Sequence, residues 1–230
     1  MPSPPRMIRV VPGEIDARQL TTRLVLPTTA QPAWPPFRRV SESIANRERH
    51  LPAHAHEGEE VLTYVTEGVA AYQVDAGSAE LVPSGGARLL IAPSRVGHRV
   101  SPGPGGTVRW FNLVVALPPG TAGAPRKLAL PESPTPREED NVSVRSLVGP
   151  GAPMASLGGL ECDELSFSEE STTFRKVGRE RRAVVYALSG RGAVDQQPIE
   201  AGEAAFVEGV PGTAVRGTPG FRTVLATAPR

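Results

Sequence analysis

The sequence predicts an all-β protein made of two similar units, and three observations carry that prediction. Glycine (24) and proline (25) make up about a fifth of the 230 residues, too much for a helical bundle, while the 39% hydrophobic content is spread along the chain, which argues against disorder. Apolar residues recur in short alternating runs, and no stretch keeps helical periodicity for more than about three turns. The pattern is also repeated. Leu188-Ser-Gly-Arg-Gly192 followed by Ile199-Glu-Ala-Gly-Glu-Ala-Ala-Phe206 echoes Thr66-Glu-Gly-Val69 followed by Leu81-Val-Pro-Ser-Gly-Gly-Ala-Arg-Leu89. A chain of this length carries one large or two modest domains, either able to bury a core, and the echo favours two.

After a proline-rich lead-in, residues 8–11 and 20–26 read as strands, prolines at 27, 32, 35 and 36 hold a loop, and alternation resumes from Phe37 through Ile44. Glu57-Gly58 makes a turn, residues 61–67 the next strand, and Gly68 a corner before a strand at 69–74. Asp75-Ala-Gly-Ser78 and Pro83-Ser-Gly-Gly86 mark hairpins, and the apolar run 87–92 follows the second. A turn at 93–97 then delivers His98, and 107–115 is the most strand-like run in the chain. Prolines at 118, 119, 125, 131, 134 and 136 rule out sustained regular structure. Residues 119–140 are therefore expected to connect a first domain, 1–118, to a second, 141–230. In that second domain 142–145, 160–167, 183–188, 204–207 and 221–226 read as short strands.

A net charge of +1 gives no reason to expect a polyanionic partner. No basic run is interleaved with aromatics for base stacking, so nucleic acid is not an expected partner. The densest basic cluster, Arg175-Lys-Val-Gly-Arg-Glu-Arg-Arg182, reads as a solvated turn between strands. Cys162 is alone, so no intrachain disulfide forms and a reducing compartment is compatible; with no histidine near it in sequence, it reads as a small buried hydrophobe. No apolar run of signal-peptide length opens the chain and none of about 18 residues occurs within it. A soluble, cytoplasmic protein without a membrane partner is the expectation.

Two of the four histidines stand at i and i+2 in Pro52-Ala-His-Ala-His-Glu-Gly-Glu-Glu60. In a strand they share a face with Cα atoms about 6.6 Å apart, whereas on a helix the same spacing splays the rings by about 200°. The following Val61-Leu-Thr-Tyr-Val65 is β-branched and aromatic enough for a strand, so the pair reads as half of a metal clamp. The plainer alternative is a hydrogen-bonded histidine cluster without metal. His50, cut off from the pair by Pro52, reads as structural, and Tyr64 and Trp110 read as core.

His54-Ala-His56-Glu-Gly-Glu-Glu60, Thr63-Tyr64, Glu67-Gly68, the glycine pair at 85 and 86, and His98 thirty residues beyond Gly68 resemble the first lobe of a pirin-type bicupin. Pro36-Phe37 upstream, and Trp110-Phe-Asn-Leu113 with Leu117-Pro118 downstream, extend the match over about residues 36 to 118. The second lobe agrees only in its strand and glycine pattern. The resemblance implies two jelly-roll β-barrels in one chain, the first holding one divalent transition metal through His54, His56 and His98. Iron(II) is the first choice, with manganese, cobalt, nickel, copper and zinc as alternatives. Pirin-type proteins add a carboxylate two residues after the last histidine; here that residue is Val100. Standard cupins draw an acid from shortly after the second histidine, which makes Glu60 the candidate fourth ligand or general base. Glu59, one residue away, is the weaker candidate because it faces the other way. Without a carboxylate such a site carries about +2, with one about +1.

The resemblance also implies an activity: oxygenation of a flavonol or enediol-like small molecule by dioxygen, in the manner of quercetin 2,3-dioxygenases. Two other readings stay open. One is a metal-binding regulatory protein with a protein partner or a homodimer interface, which a histidine-free second lobe would suit. The other is a non-oxidative isomerase or lyase.

Overall fold

The computed structural model describes residues 6–10, 13–17, 20–28, 34–47, 52–130, 135–139 and 141–230, with the backbone alone before residue 21. Strands β1 (Arg6–Val10), β2 (Gly13–Ala17), β3 (Leu20–Leu26) and β4 (Phe37–Asn46) precede the histidine pair, which forms β5 (His54–His56). Then come β6 (Glu59–Val74), β7 (Glu80–Pro83), β8 (Ala87–Ala92), β9 (Val96–Pro102), β10 (Thr107–Ala116) and β11 (Arg126–Ala129). The second half holds β12 (Arg137–Glu139), β13 (Val142–Val148), β14 (Glu161–Phe167), β15 (Ser171–Lys176) and β16 (Arg181–Ser189). It ends with β17 (Arg191–Val194), β18 (Gln197–Glu200), β19 (Ala204–Glu208), β20 (Gly212–Gly217) and β21 (Arg222–Pro229). No helix occurs among the described residues, so none is long and apolar enough to cross a membrane.

The chain forms two compact units, one of Gly13–Ser133 and one of Met1–Pro12 with Pro134–Arg230. In the first, β11-β8-β6-β10-β4-β3-β2 form one sheet, and β5, β9 and β7 pair with one another or with the far end of β6 to form the facing one. The second unit repeats this position for position: β1-β19-β16-β21-β14-β13-β12 against β15-β20-β17-β18. This is an all-β bicupin, two jelly-roll barrels in one chain. The echo read from sequence is therefore a repeat of topology. The units do not divide at 118. β11 lies beyond that point and pairs with β8 of the first barrel, whereas β1 pairs with β19 of the second. Each of these strands covers the outer edge of the strand it joins, and edge cover is a tertiary need that local composition does not reveal.

Gly68 is not a corner between two strands but lies inside one 16-residue strand, β6. Before it, β6 pairs with β8 and β10; after it, with β7 and β9. The strand passes from one sheet to the other there, with φ at +76° and a register shift in the adjacent β10 ladder, a turn in the backbone that glycine alone makes without strain. His98 sits within β9 rather than after a turn. Gly97 and Pro102 hide that strand from propensity arguments, and its ladders with β5 and β6 hold it in place.

One face of β6 packs Val61 with Leu90, Ala92, Val96 and Val114, and deeper in the barrel Val65 packs with Ala45, Tyr72, Val100 and Trp110. Tyr64 and Trp110 are fully buried, as expected of core residues. Cys162 is buried, and burial pushes its thiol well up, consistent with an inert packing residue. The basic stretch at 175–182 is not a solvated turn throughout. Arg175 donates to Asp163 and Glu139, and Arg181 to the Thr227 side chain and carbonyl.

Candidate metal centre

β5 is three residues long and pairs with β9 alone, setting His54 opposite His98 and His56 opposite Val96. The i, i+2 spacing then turns His56 to the same side as His54. The start of β9 is pinned by the Gly97 N–H, which donates to Asp75 Oδ1 at 2.7 Å. Three strand positions thus bring together three rings whose centroids are 4.5 to 5.0 Å apart. Their ligand atoms all lie within 4.8 Å of one another.

The tautomers follow from the hydrogen bonds. His54 Nδ1–H donates to the Pro52 carbonyl at 3.1 Å and His56 Nδ1–H to Glu59 Oε2 at 2.7 Å. Both Nε2 atoms therefore carry lone pairs, and they face Nε2 of His98 at 3.0 and 3.1 Å. A single N–H on His98 satisfies one of them; a cation satisfies all three. The two separations from His98 are also near the range of metal-bound nitrogens, which stand about 3.0 Å apart at right angles around an ion about 2.1 Å away and about 3.4 Å apart in a tetrahedron.

For His54 and His98 the electrostatics agree with neutral imidazoles. Burial, followed by the proximity of His54 and His56, lowers the His98 pKa to about 3, and burial is also the main cause that lowers the pKa of His54. For Glu59, burial works against the charge, but hydrogen bonds from His56 and Arg38 outweigh it and hold the carboxyl below its usual range. Glu59 is thus an ionised group that orients His56 while Arg38 holds its other oxygen at 2.8 Å.

Of the residues singled out in the sequence, His54, His56 and His98 converge and Glu60 does not join them. Glu60 is fully buried, opposite Val115 and Ile91 in its ladders, on the face of β6 away from Glu59. The residue that engages the cluster is Glu59, and strand alternation was the signal that could have found it once the register was known. Val100, two residues past His98, is fully buried in the apolar cluster and supplies no ligand. His50 lies outside the described residues.

The second barrel shows what these positions hold without histidines. Asp195 matches Asp75: both have φ of 45°, and Asp195 Oδ1 accepts from Ala214 N as Asp75 Oδ1 accepts from Gly97 N. That alignment puts Val215 at the place of His98, and the β15–β20 ladder puts Thr173 and Arg175 at those of His54 and His56. Arg175, gripped by Asp163 at 2.6 Å and Glu139 at 2.8 Å, places a fixed positive charge there.

No protein-family model matches this chain, and no curated protein matches it in sequence. Solved structures do. GK1651 from Geobacillus kaustophilus superposes with a TM-score of 0.86 over 98% of this chain and 96% of its own, at 22% identity. The bacterial pirin YhhW from Escherichia coli, in complex with nickel(II), gives 0.83 over 97% and 99% at 14% identity. A quercetin 2,3-dioxygenase from Acinetobacter baumannii gives 0.81 over 98% of this chain and 79% of its own, at 18% identity. The fold is that of the pirin-type bicupins.

Proposed function

We propose that the first barrel is a metal-dependent dioxygenase centre of the quercetin 2,3-dioxygenase kind, in which His54, His56 and His98 hold one divalent transition metal, iron(II) by first choice. Its substrate is a flavonol or enediol-like small molecule. The observation that carries this reading is the convergence of three Nε2 atoms with no carboxylate among them. Support comes from neighbours of the same fold, one described as a quercetin 2,3-dioxygenase and one as a nickel(II) complex. When bound, the metal supplies a Lewis acid that lowers the pKa of a coordinated hydroxyl and gives access to dioxygen chemistry.

The chain's own part is to aim and insulate. The Pro52 carbonyl and Glu59 fix the tautomers of His54 and His56, leaving both Nε2 lone pairs available. Val100 leaves the site without the acid that pirin-type proteins carry, so three neutral imidazoles keep it at about +2 and favour an anionic ligand. Neither glutamate of the first motif is placed to act as a base there: Glu59 is held by His56 and Arg38, and Glu60 is not among the converging groups. Such a site best suits a substrate that arrives already ionised or is acidic enough to lose its proton to water on binding. That preference favours flavonols and enediols over isomerase or lyase substrates, whose C–H bonds need a base.

The test is oxygen uptake with a flavonol, using protein reconstituted separately with iron, manganese, cobalt, nickel and copper. Uptake with at least one metal, lost in His54→Ala, is expected. Retention of one metal per chain with no uptake under any of them would reject the oxygenase and leave a metal-binding bicupin.

A further inference from the structure

Three polar atoms inside the first barrel are buried and make no hydrogen bond: Nδ1 of His98, the hydroxyl of Tyr72 and Nε1 of Trp110. They belong to neighbouring side chains. The Tyr72 ring lies 5.4 Å from that of His98, tilted by 56°. Tyr72 stands opposite Val100 in the β6–β9 ladder, one residue pair beyond His98 on the same face, and packs with Val100 and Trp110 in one cluster. A buried polar group without a partner is costly. Three such atoms on side chains that pack against one another point to a shared partner, and an interior water is the partner that buried polar groups most often share.

We infer that Tyr72, through a water molecule held against Trp110 Nε1, is the hydrogen-bond partner of His98 Nδ1 and thereby aims the third ligand nitrogen. The inference rests on reading the three histidines as metal ligands. The proton accounting shows why a hydroxyl is needed. Without metal, His98 directs Nε2–H at its two neighbours, so Nδ1 accepts from the water, which in turn accepts from Trp110 Nε1–H and from the Tyr72 hydroxyl. With metal, the Nε2 lone pair is engaged and Nδ1 carries the proton. The water then accepts from Nδ1–H and from Trp110 and donates to the Tyr72 oxygen. Trp110 only donates, but a hydroxyl reverses direction and serves both tautomers. Tyr72 is a positioning residue: it acts through His98.

Tyr72→Phe keeps the ring and removes only the oxygen. Calorimetric titration with nickel(II) is expected to show about tenfold weaker binding, the lower end of the effect of losing such an outer partner. The ¹⁵N resonance of His98 Nδ1 is expected to shift in the metal-free protein, whereas Val100→Ala, a pure packing change beside it, leaves that resonance in place. Unaltered nickel affinity, or weaker binding with an unmoved Nδ1 resonance, overturns the inference while the metal site stands. If the unaltered protein binds no nickel, the three-histidine reading fails, and the Nδ1 resonance of the metal-free protein still decides the Tyr72 bond. Should Tyr72→Phe not fold, a high-resolution crystal structure of the unaltered protein decides: a water within hydrogen-bond reach of Tyr72, Trp110 Nε1 and His98 Nδ1 supports the inference, and no water there overturns it.

Discussion

Glu59 and Glu60 are adjacent in the chain and opposite in what they touch, because consecutive residues of a strand face opposite ways. Glu59 Oε2 accepts from His56 at 2.7 Å, whereas Glu60 lies on the far face of β6. Glu59→Gln is therefore expected to weaken metal binding about tenfold by loosening the orientation of His56, and Glu60→Gln to leave it unchanged; metal analysis with competitive chelators measures both. His98 adds a pH dependence. Burial and its two histidine neighbours lower its folded pKa to about 3, while in the unfolded chain it titrates near about 6.5. The unfolded state takes up the proton first, so metal-stripped protein is fully stable in this respect above about pH 6.5 and loses stability as pH falls from there towards 3. Thermal unfolding across that window should show the decline, and His98→Leu should flatten it.

At the scale of the element, β6 links the two sheets of the first barrel. It does so at Gly68, where a Cβ would sit 2.3 Å from the Thr107 carbonyl oxygen and φ is +76°. The second barrel uses the same device at Gly190, with φ of +72° and a Cβ position 2.9 Å from the Phe221 Cα. Gly68→Ala combines a left-handed backbone with a clash, and a loss of about 1–3 kcal/mol is expected. Denaturant unfolding should show a lower midpoint with an unchanged slope. The glycine was legible as a break in the pattern; that the strand continues through it was not, since continuity depends on its ladders with β7 and β9 rather than on local composition.

For the whole molecule, the order of strands in space departs from their order in sequence at the amino terminus, where β1 joins the second unit, and within the connection, where β11 joins the first. β1 joins the second unit by pairing with β19, with Met7 opposite Val207 and Arg9 opposite Ala205. Removing residues 1–12 would expose the β19 edge. The truncated protein is expected to unfold at lower temperature and to aggregate more readily, yet to hold its metal in the same ratio, because His54, His56 and His98 belong to the other unit. Calorimetry and metal analysis on the same sample would test both halves of that expectation.

By itself the sequence determined the all-β class, the doubling of the unit and the three histidines, since each depends on spacing along the chain: breaker residues, alternation and the i, i+2 pair. Tertiary structure decided which acid meets the cluster, what backs His98 and which unit owns the amino terminus. Those depend on ladder register and on partners dozens of residues away, and a shift of one residue in a strand exchanges the faces of Glu59 and Glu60 without altering a letter of the sequence.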